Sequence, residues 1–537
     1  MGDSATVRNL LNEIALGVKK VSPFVTPLIF DKNGFPNTTS SWTSAFSRFL
    51  NNKEYKGFAH PERPPFVLLF EGEDENCAVV STSLCGVYNW RKYVFWGQFY
   101  DDRPIMIIED IPDLKVYDLY GNEVKIERRF KKIYIPVNKN PKYITTKLNF
   151  EKFKEIMSKA YYEKLTPVEI KVFQIGRDNK LIIELKNTYP VKIKGSLNVK
   201  CEKIEFEKES IDIELGPIEK NKFVFNILKV KDTLNNYPSE ILVNTDKGIA
   251  KLKENLVFCI IKKGKIKVDG KIDDWEKLNS KTIILTKEEK YEDLTLKAWY
   301  PWEKFVESMP DFSAEVSFAY DDEFLYGLIR VKDKTKDILP SLLSGKNLHK
   351  FQNPPADYIY VEPGPIPGAT GDMVKISLGI TERKKWNKKY EVFPPDSLLY
   401  RFGHYLNAQY QYLIYPTNQN NGEIMRVRTP DFYYIHPLPI DYKFLSEKCK
   451  VENSSVFIKV DENGYIYEFS IPWREISEVN PFKNKRIKLS FQIQDRGMGN
   501  VLEFSKNKSI CSVNTLDFEP GWGAKWTAET EFEFDGI

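Results

Sequence analysis

Ile487-Lys488-Leu489-Ser490-Phe491-Gln492-Ile493-Gln494-Asp495 alternates apolar and polar residues without a break. A period of two puts Ile487, Leu489, Phe491 and Ile493 on one face of a strand and Lys488, Ser490, Gln492 and Gln494 on the other. The same texture recurs outward from this segment. Leu181, Ile183 and Leu185 alternate up to Asn187, Ile211, Ile213 and Leu215 run into Gly216-Pro217, and Phe223, Phe225 and Ile227 repeat the period. Val316–Tyr320 and Phe324–Val331 flank Asp321-Asp322 as a hairpin. Short strands punctuated by turns from Lys53 almost to Ile537 predict an all-β chain, several β-sandwich domains in tandem behind a short helical N-terminal segment.

The texture divides the chain into five stretches. In residues 1–52, Val7, Leu10, Leu11, Ile14 and Val18 recur at helical spacing, and a second helix is expected around Trp42–Leu50, N-capped by Thr39, Ser40 or Ser41. Residues 53–147 read as a first sandwich, with strands at Phe66–Phe70, Ala78–Val80, Tyr93–Phe99, Leu114–Tyr117 and Ile133–Ile135. Residues 148–164 are a helical linker. Residues 165–262 carry about seven short strands, the pattern of an immunoglobulin-like sandwich that acts as a spacer. Residues 263–537 hold seven of the ten tryptophans and two long excursions, 340–356 and 416–424, where recognition is expected to sit.

Composition excludes several classes. The chain has 79 Lys+Arg against 75 Asp+Glu, a net charge of +4 with no basic block, which argues against a nucleic-acid partner. Four histidines are poor material for a histidine metal centre or relay, and six cysteines form no C-x-x-C, although Cys77 and Cys85 are near enough in sequence to pair. No apolar run is long enough for a membrane span. Met1-Gly2-Asp3-Ser4-Ala5 has neither a basic nor an apolar signal region, which taken literally points to the cytoplasm. No nucleophile elbow, zinc-protease helix or phosphate loop is present, and 52 helical residues cannot supply a catalytic barrel of about 250. No catalytic residue is nominated. Aromatics make up 14% of the chain, a composition that serves both packed cores and sugar-stacking surfaces.

Five blocks in the last stretch carry a resemblance. Val268-Asp269-Gly270 with Asp274-Trp275 comes first, then Asp321-Asp322-Glu323-Phe324-Leu325-Tyr326 with Val331-Lys332-Asp333. Asp357-Tyr358-Ile359-Tyr360-Val361, Gly464–Trp473 and Phe491-Gln492-Ile493-Gln494-Asp495 follow in order. Together they make residues 263–537 resemble the family 9 carbohydrate-binding modules. The resemblance implies a β-sandwich that binds a polysaccharide or oligosaccharide, often at a chain end, beside an exported polysaccharide hydrolase. An extracellular or cell-surface location is therefore expected, with the catalytic domain encoded separately. Residues 53–147, through Val116–Asn122 and Pro141-Lys142-Tyr143-Ile144, resemble the sandwich that follows the barrel in several glycoside hydrolases, which makes 1–52 the end of such a barrel.

The implied sugar site carries over unevenly. In the family two tryptophans sandwich the sugar. The position of the first holds Asn353-Pro354-Pro355, and the second falls on Trp522, with Trp526 as competitor. The family's glutamate falls on Tyr360 and its glutamine on Gln492, with Gln494 on the same polar face; Trp299 and Trp302 are candidates to replace the missing plate. Amides suit the task because they both donate to and accept from hydroxyls. The alternative for this face is a solvated sheet surface. Trp275 and Trp473 read as core anchors. No cofactor is implied; the resemblance admits structural calcium, but Asp321 and Asp322 are explained by a turn and no metal site is nominated. Rival readings are a ligand-free surface protein, an intact glycoside hydrolase, and a haem sandwich for which His349, His404, His436, Met373 and Met425 offer no recognisable axial pair.

Overall fold

The computed structural model describes residues 35–36, 38–60, 65–82, 104–231, 234–286, 290–292, 312–336, 338, 372–380, 410–418, 420–429, 432–433, 449–495, 500–504 and 530–536, with Val7, Arg8, Leu10, Leu11, Ile14 and Ala15. The expected strand at Tyr93–Phe99, the 340–356 excursion, the Asp357–Val361 block and Cys85 lie outside the described residues. The fold is all-β with few helices.

Phe66–Phe70 is apolar throughout because it is covered on both sides. Its sheet runs Glu54–Phe58, Phe66–Glu71, Asn76–Ser81, Lys142–Thr146, Lys115–Tyr117. On one side Val67, Leu69, Ala78 and Val80 meet Met106, Ile108, Ile133 and Ile135 of a second, four-stranded sheet. On the other, Phe66, Leu68, Val79 and Tyr143 are roofed by helix α1 (Thr38–Leu50) through Trp42, Ala45 and Phe49. The helix begins at Thr38, so Thr39, Ser40 and Ser41 lie in its first turn instead of capping it. Helix α2 (Phe150–Ser158) is capped by the Asn149 side chain, which accepts from the Glu151 and Lys152 N–H groups. It buries Phe150, Phe153, Ile156 and Met157, after which Tyr161–Glu163 pairs with Ile105–Ile107.

Next come two four-stranded antiparallel sheets, Val168–Phe173, Lys180–Asn187, Lys220–Val230, Ile204–Phe206 and Ser210–Leu215, Ile193–Lys200, Tyr237–Thr245, Gly248–Leu256. Leu181, Ile183, Leu197, Val199, Ile241 and Val243 close between them.

The last unit is built from β1 (Ile260–Lys263), β2 (Ser313–Tyr320), β3 (Phe324–Lys332), β4 (Met373–Ile380), β5 (Tyr410–Pro416), β6 (Gly422–Thr429), β7 (Ser455–Asp461), β8 (Gly464–Pro472), β9 (Arg486–Asp495), β10 (Asn500–Phe504) and β11 (Thr530–Phe534). One sheet runs β2-β3-β8-β7 and the other β6-β5-β4-β9, with β10 and β11 sharing the free edge of β9. Strand β1 lies between β2 and β11, parallel to both, and joins the two sheets. Inward rows Leu325, Ile329, Tyr467, Phe469 and Val374, Ile376, Leu489, Phe491, Ile493 form the core. The expected excursion at 416–424 is a short β5–β6 turn, because the Asn418 side chain accepts from the Asn420 and Asn421 N–H groups and folds the chain back at once.

The opening block of this unit and its later strand are physically one feature. The Glu468 carboxylate, buried on β8, accepts from Trp275 Nε1 at 2.9 Å and from the Asp269 and Gly270 N–H groups at 2.8 and 2.7 Å. Gly270 has φ +79°, and a side chain there would overlap the Phe457 ring. Burial holds the Glu468 pKa above the usual carboxylate range, against the opposing pull of the three donors. Trp275 and Trp473 are both buried. Substituting Glu468→Ala strands three donors; we expect a loss of about 3 kcal/mol, read as a lower calorimetric Tm. An unchanged Tm would contradict this role.

Candidate functional site

The outward face of the β5-β4-β9 sheet is polar yet buried. Register sets Gln411, Ser377 and Ser490 side by side across β5, β4 and β9. The next row holds Met425, Leu413, Lys375 and Gln492, and the third pairs Met373 with Gln494. All these side chains are at most 4% exposed. The face is therefore no solvated surface, and its polar groups have exchanged water for a dry environment. On Gln494, neither Oε1 nor Nε2 makes a hydrogen bond within the described structure, and neither does Ser377 Oγ. Each such atom costs about 1–3 kcal/mol unless something pairs with it. At the side of this face Tyr415 donates to Glu423 across the β5–β6 pair at 2.6 Å.

Amide, hydroxyl and ammonium groups in adjoining rows present donors and acceptors at the spacing of neighbouring strands, which is the chemistry that grips vicinal hydroxyls. Of the residues singled out in the sequence, Gln492 and Gln494 share this face. Trp522, Tyr360, Trp302 and Trp299, like Trp526, lie outside the described residues.

A second cluster was missed by sequence reasoning. Asp333 continues the inward row of β3 beyond Val331, Asp372 precedes Val374 by one period, and Asp495 follows Ile493 by one. Three inward rows thus end in carboxylates at the same end of the core, each at most 1% exposed, with oxygens within 4.8 Å of one another. Tyr465 donates to Asp372 Oδ2 at 2.5 Å, and Thr335 Oγ1 lies 3.0 Å from Asp333 Oδ1 and 2.9 Å from Asp495 Oδ1. Burial first, then the Asp372 charge, pushes the Tyr465 phenol pKa well up. The available signal was the i±2 continuation of each apolar row into an aspartate. By contrast Asp321 is a turn residue: its Oδ1 accepts from the Glu323 and Phe324 N–H groups and its Oδ2 from Tyr326. Asp322 pairs with Lys263.

Three buried carboxylates this close repel one another, and an all-oxygen set of this kind fits a hard cation such as calcium. With a cation held by Asp333, Asp372 and Asp495, the charge would be compensated and the end of the sandwich fixed. Calcium added to chelator-treated protein is expected to raise Tm by several degrees, and Asp372→Asn to remove that response. No calcium response in the wild type would assign the cluster to shared protons.

No family model matches the chain, and no curated protein matches it. Among solved structures, a family 9 carbohydrate-binding module from Caldicellulosiruptor kristjanssonii in complex with cellotriose is 13% identical, covering 52% of this chain and 93% of that one, with a TM-score of 0.28. A GH2 β-galacturonidase from Eisenbergiella tayi is 10% identical over 36% of this chain and 40% of its own, at a TM-score of 0.16. A β-glucuronidase from Parabacteroides merdae is 14% identical over 37% and 30%, at 0.14. Likenesses at these scores carry no inference about activity. Among the described residues no helix is long and apolar enough to cross a membrane.

Proposed function

We propose that this chain binds a polysaccharide or oligosaccharide without cleaving it, through the outward face of the β5-β4-β9 sheet, as the accessory part of a glycoside hydrolase in carbohydrate catabolism. The catalytic domain is supplied separately, and the place of action is extracellular or at the cell surface. The observation that carries the reading is the Gln494 amide, buried with neither polar atom paired among the described residues, on the face that also holds Gln492. The order of the five sequence blocks supports it. Gln492 and Gln494 are 1% and 2% exposed, so a sugar that pairs with them is held in a dry environment. Trp522, Tyr360, Trp302 and Trp299 are the candidates for the stacking surface.

The near-complete burial of the same amides favours a second reading, a ligand-free structural sandwich. Affinity electrophoresis against xylan, glucan and mannan separates the two. Retardation on at least one is expected, with at least a tenfold weaker interaction, about 1.4 kcal/mol, for Gln494→Ala and for Trp522→Ala. No retardation on any of the three, or retardation untouched by Gln494→Ala, contradicts the site. No reducing sugar should be released from the retarding polymer.

A further inference from the structure

Leu256-Val257-Phe258-Cys259-Ile260-Ile261 is the segment where the second unit passes into the third. Its six apolar residues alternate between two cores. Leu256 and Phe258 are buried in the core of the second sandwich, with Ile260 packed against it. Val257, Cys259 and Ile261 are buried in the core of the third. An extended segment buried on both faces reads as a continuous apolar run, and here the two faces belong to different units.

Its backbone is committed to both sides as well. Val257 N–H donates to Gln174 Oε1 at 2.8 Å and its carbonyl accepts from Ile175 at 3.0 Å. Phe258 N–H donates to Asn235 Oδ1 at 2.7 Å, while the Asn235 amide donates to the Phe258 carbonyl at 3.0 Å. Cys259 N–H donates to the Ile175 carbonyl at 2.9 Å. The Cys259 and Ile261 carbonyls accept from Glu533 and Asp535, in the third unit, at 3.0 and 2.9 Å.

Side chains close the joint from outside. The Glu533 carboxylate accepts from the Arg177 N–H at 2.7 Å and pairs with Arg486 at 2.5 Å. It packs so closely on Gly176 that a Cβ there would lie 2.7 Å from Glu533 Cδ. An Asn235–Ile283 bridge adds a second crossing.

We propose that the second and third units are one hinge-free cooperative body, joined through a shared extended segment that both cores bury. Resting on the proposed sugar site, this means that the binding face is held at a fixed orientation to the second sandwich. The joint itself is tested without any sugar.

Buried Cys259 reports on the joint, and buried Cys449 on the third unit. Thiol labelling of the full chain, read by peptide mass spectrometry across a urea series, should give both the same midpoint. In native buffer Cys259 should label within about threefold of Cys449. Ile183→Ala, in the core of the second sandwich, should lower the Cys449 midpoint by the same amount as the Cys259 midpoint. Cys259 labelling a hundredfold faster than Cys449 in native buffer overturns the proposal, and so does a Cys449 midpoint unmoved by Ile183→Ala. Sugar binding that fails while these midpoints move together would reject the binding site and leave the joint intact.

Discussion

Burial of β9 on both faces is the constraint on which the rest of the C-terminal unit depends. Its inward row, Ile487, Leu489, Phe491 and Ile493, packs the sandwich, so its outward row is fixed by the pleat as Lys488, Ser490, Gln492 and Gln494. A one-residue slip in pairing with β4 would send amides into the apolar core. The hydrophobic pattern therefore pins the register, and the register in turn assembles Ser377, Lys375 and Met373 beside the β9 residues. The polar row is a dry surface facing away from the apolar core, and the same alternation ends in Asp495 at the carboxylate cluster.

Two kinds of buried polar group coexist here and behave differently. Glu468 is satisfied from three directions, and its partners come from the loop around Gly270 and from Trp275. It is a structural clamp that ties the start of the unit to β8. Gln494 and Ser377 have no such partners within the described structure. Proteins keep unsatisfied buried amides rarely, and where they do, a ligand, water or ion is a common explanation. That contrast separates the clamp from the candidate site.

Much of this architecture was legible in the chain. Strict alternation at 487–495 and 181–185 yields strands whose inward residues are the ones named, and Asp321-Asp322 turns the β2–β3 hairpin as its composition dictates. The run Phe66–Phe70 was legible as a strand but not as one covered by α1 on its far side, because periodicity says nothing about a doubly buried strand. The Asp333, Asp372 and Asp495 cluster escaped notice because its members are far apart in sequence and meet only when three strands end together. The 416–424 segment misled because Asn and Gly mark both long loops and tight turns; the Asn418 side chain decided for the turn. At the candidate site, Gln492 and Gln494 were readable on one face, whereas their near-total burial depends on what packs over the sheet and is invisible to a single strand's pattern.

The proposed sugar site stands or falls on Gln492 and Gln494 meeting a ligand. Their side-chain NH₂ resonances, observed in full-length protein labelled selectively with ¹⁵N-glutamine and assigned with Gln492→Asn and Gln494→Asn variants, give the most direct measurement. Titration with short oligosaccharides of the retarding polymer should shift both amide pairs saturably and along one binding curve. Resonances that stay fixed while the oligosaccharide binds elsewhere, or while no binding occurs, would contradict the account.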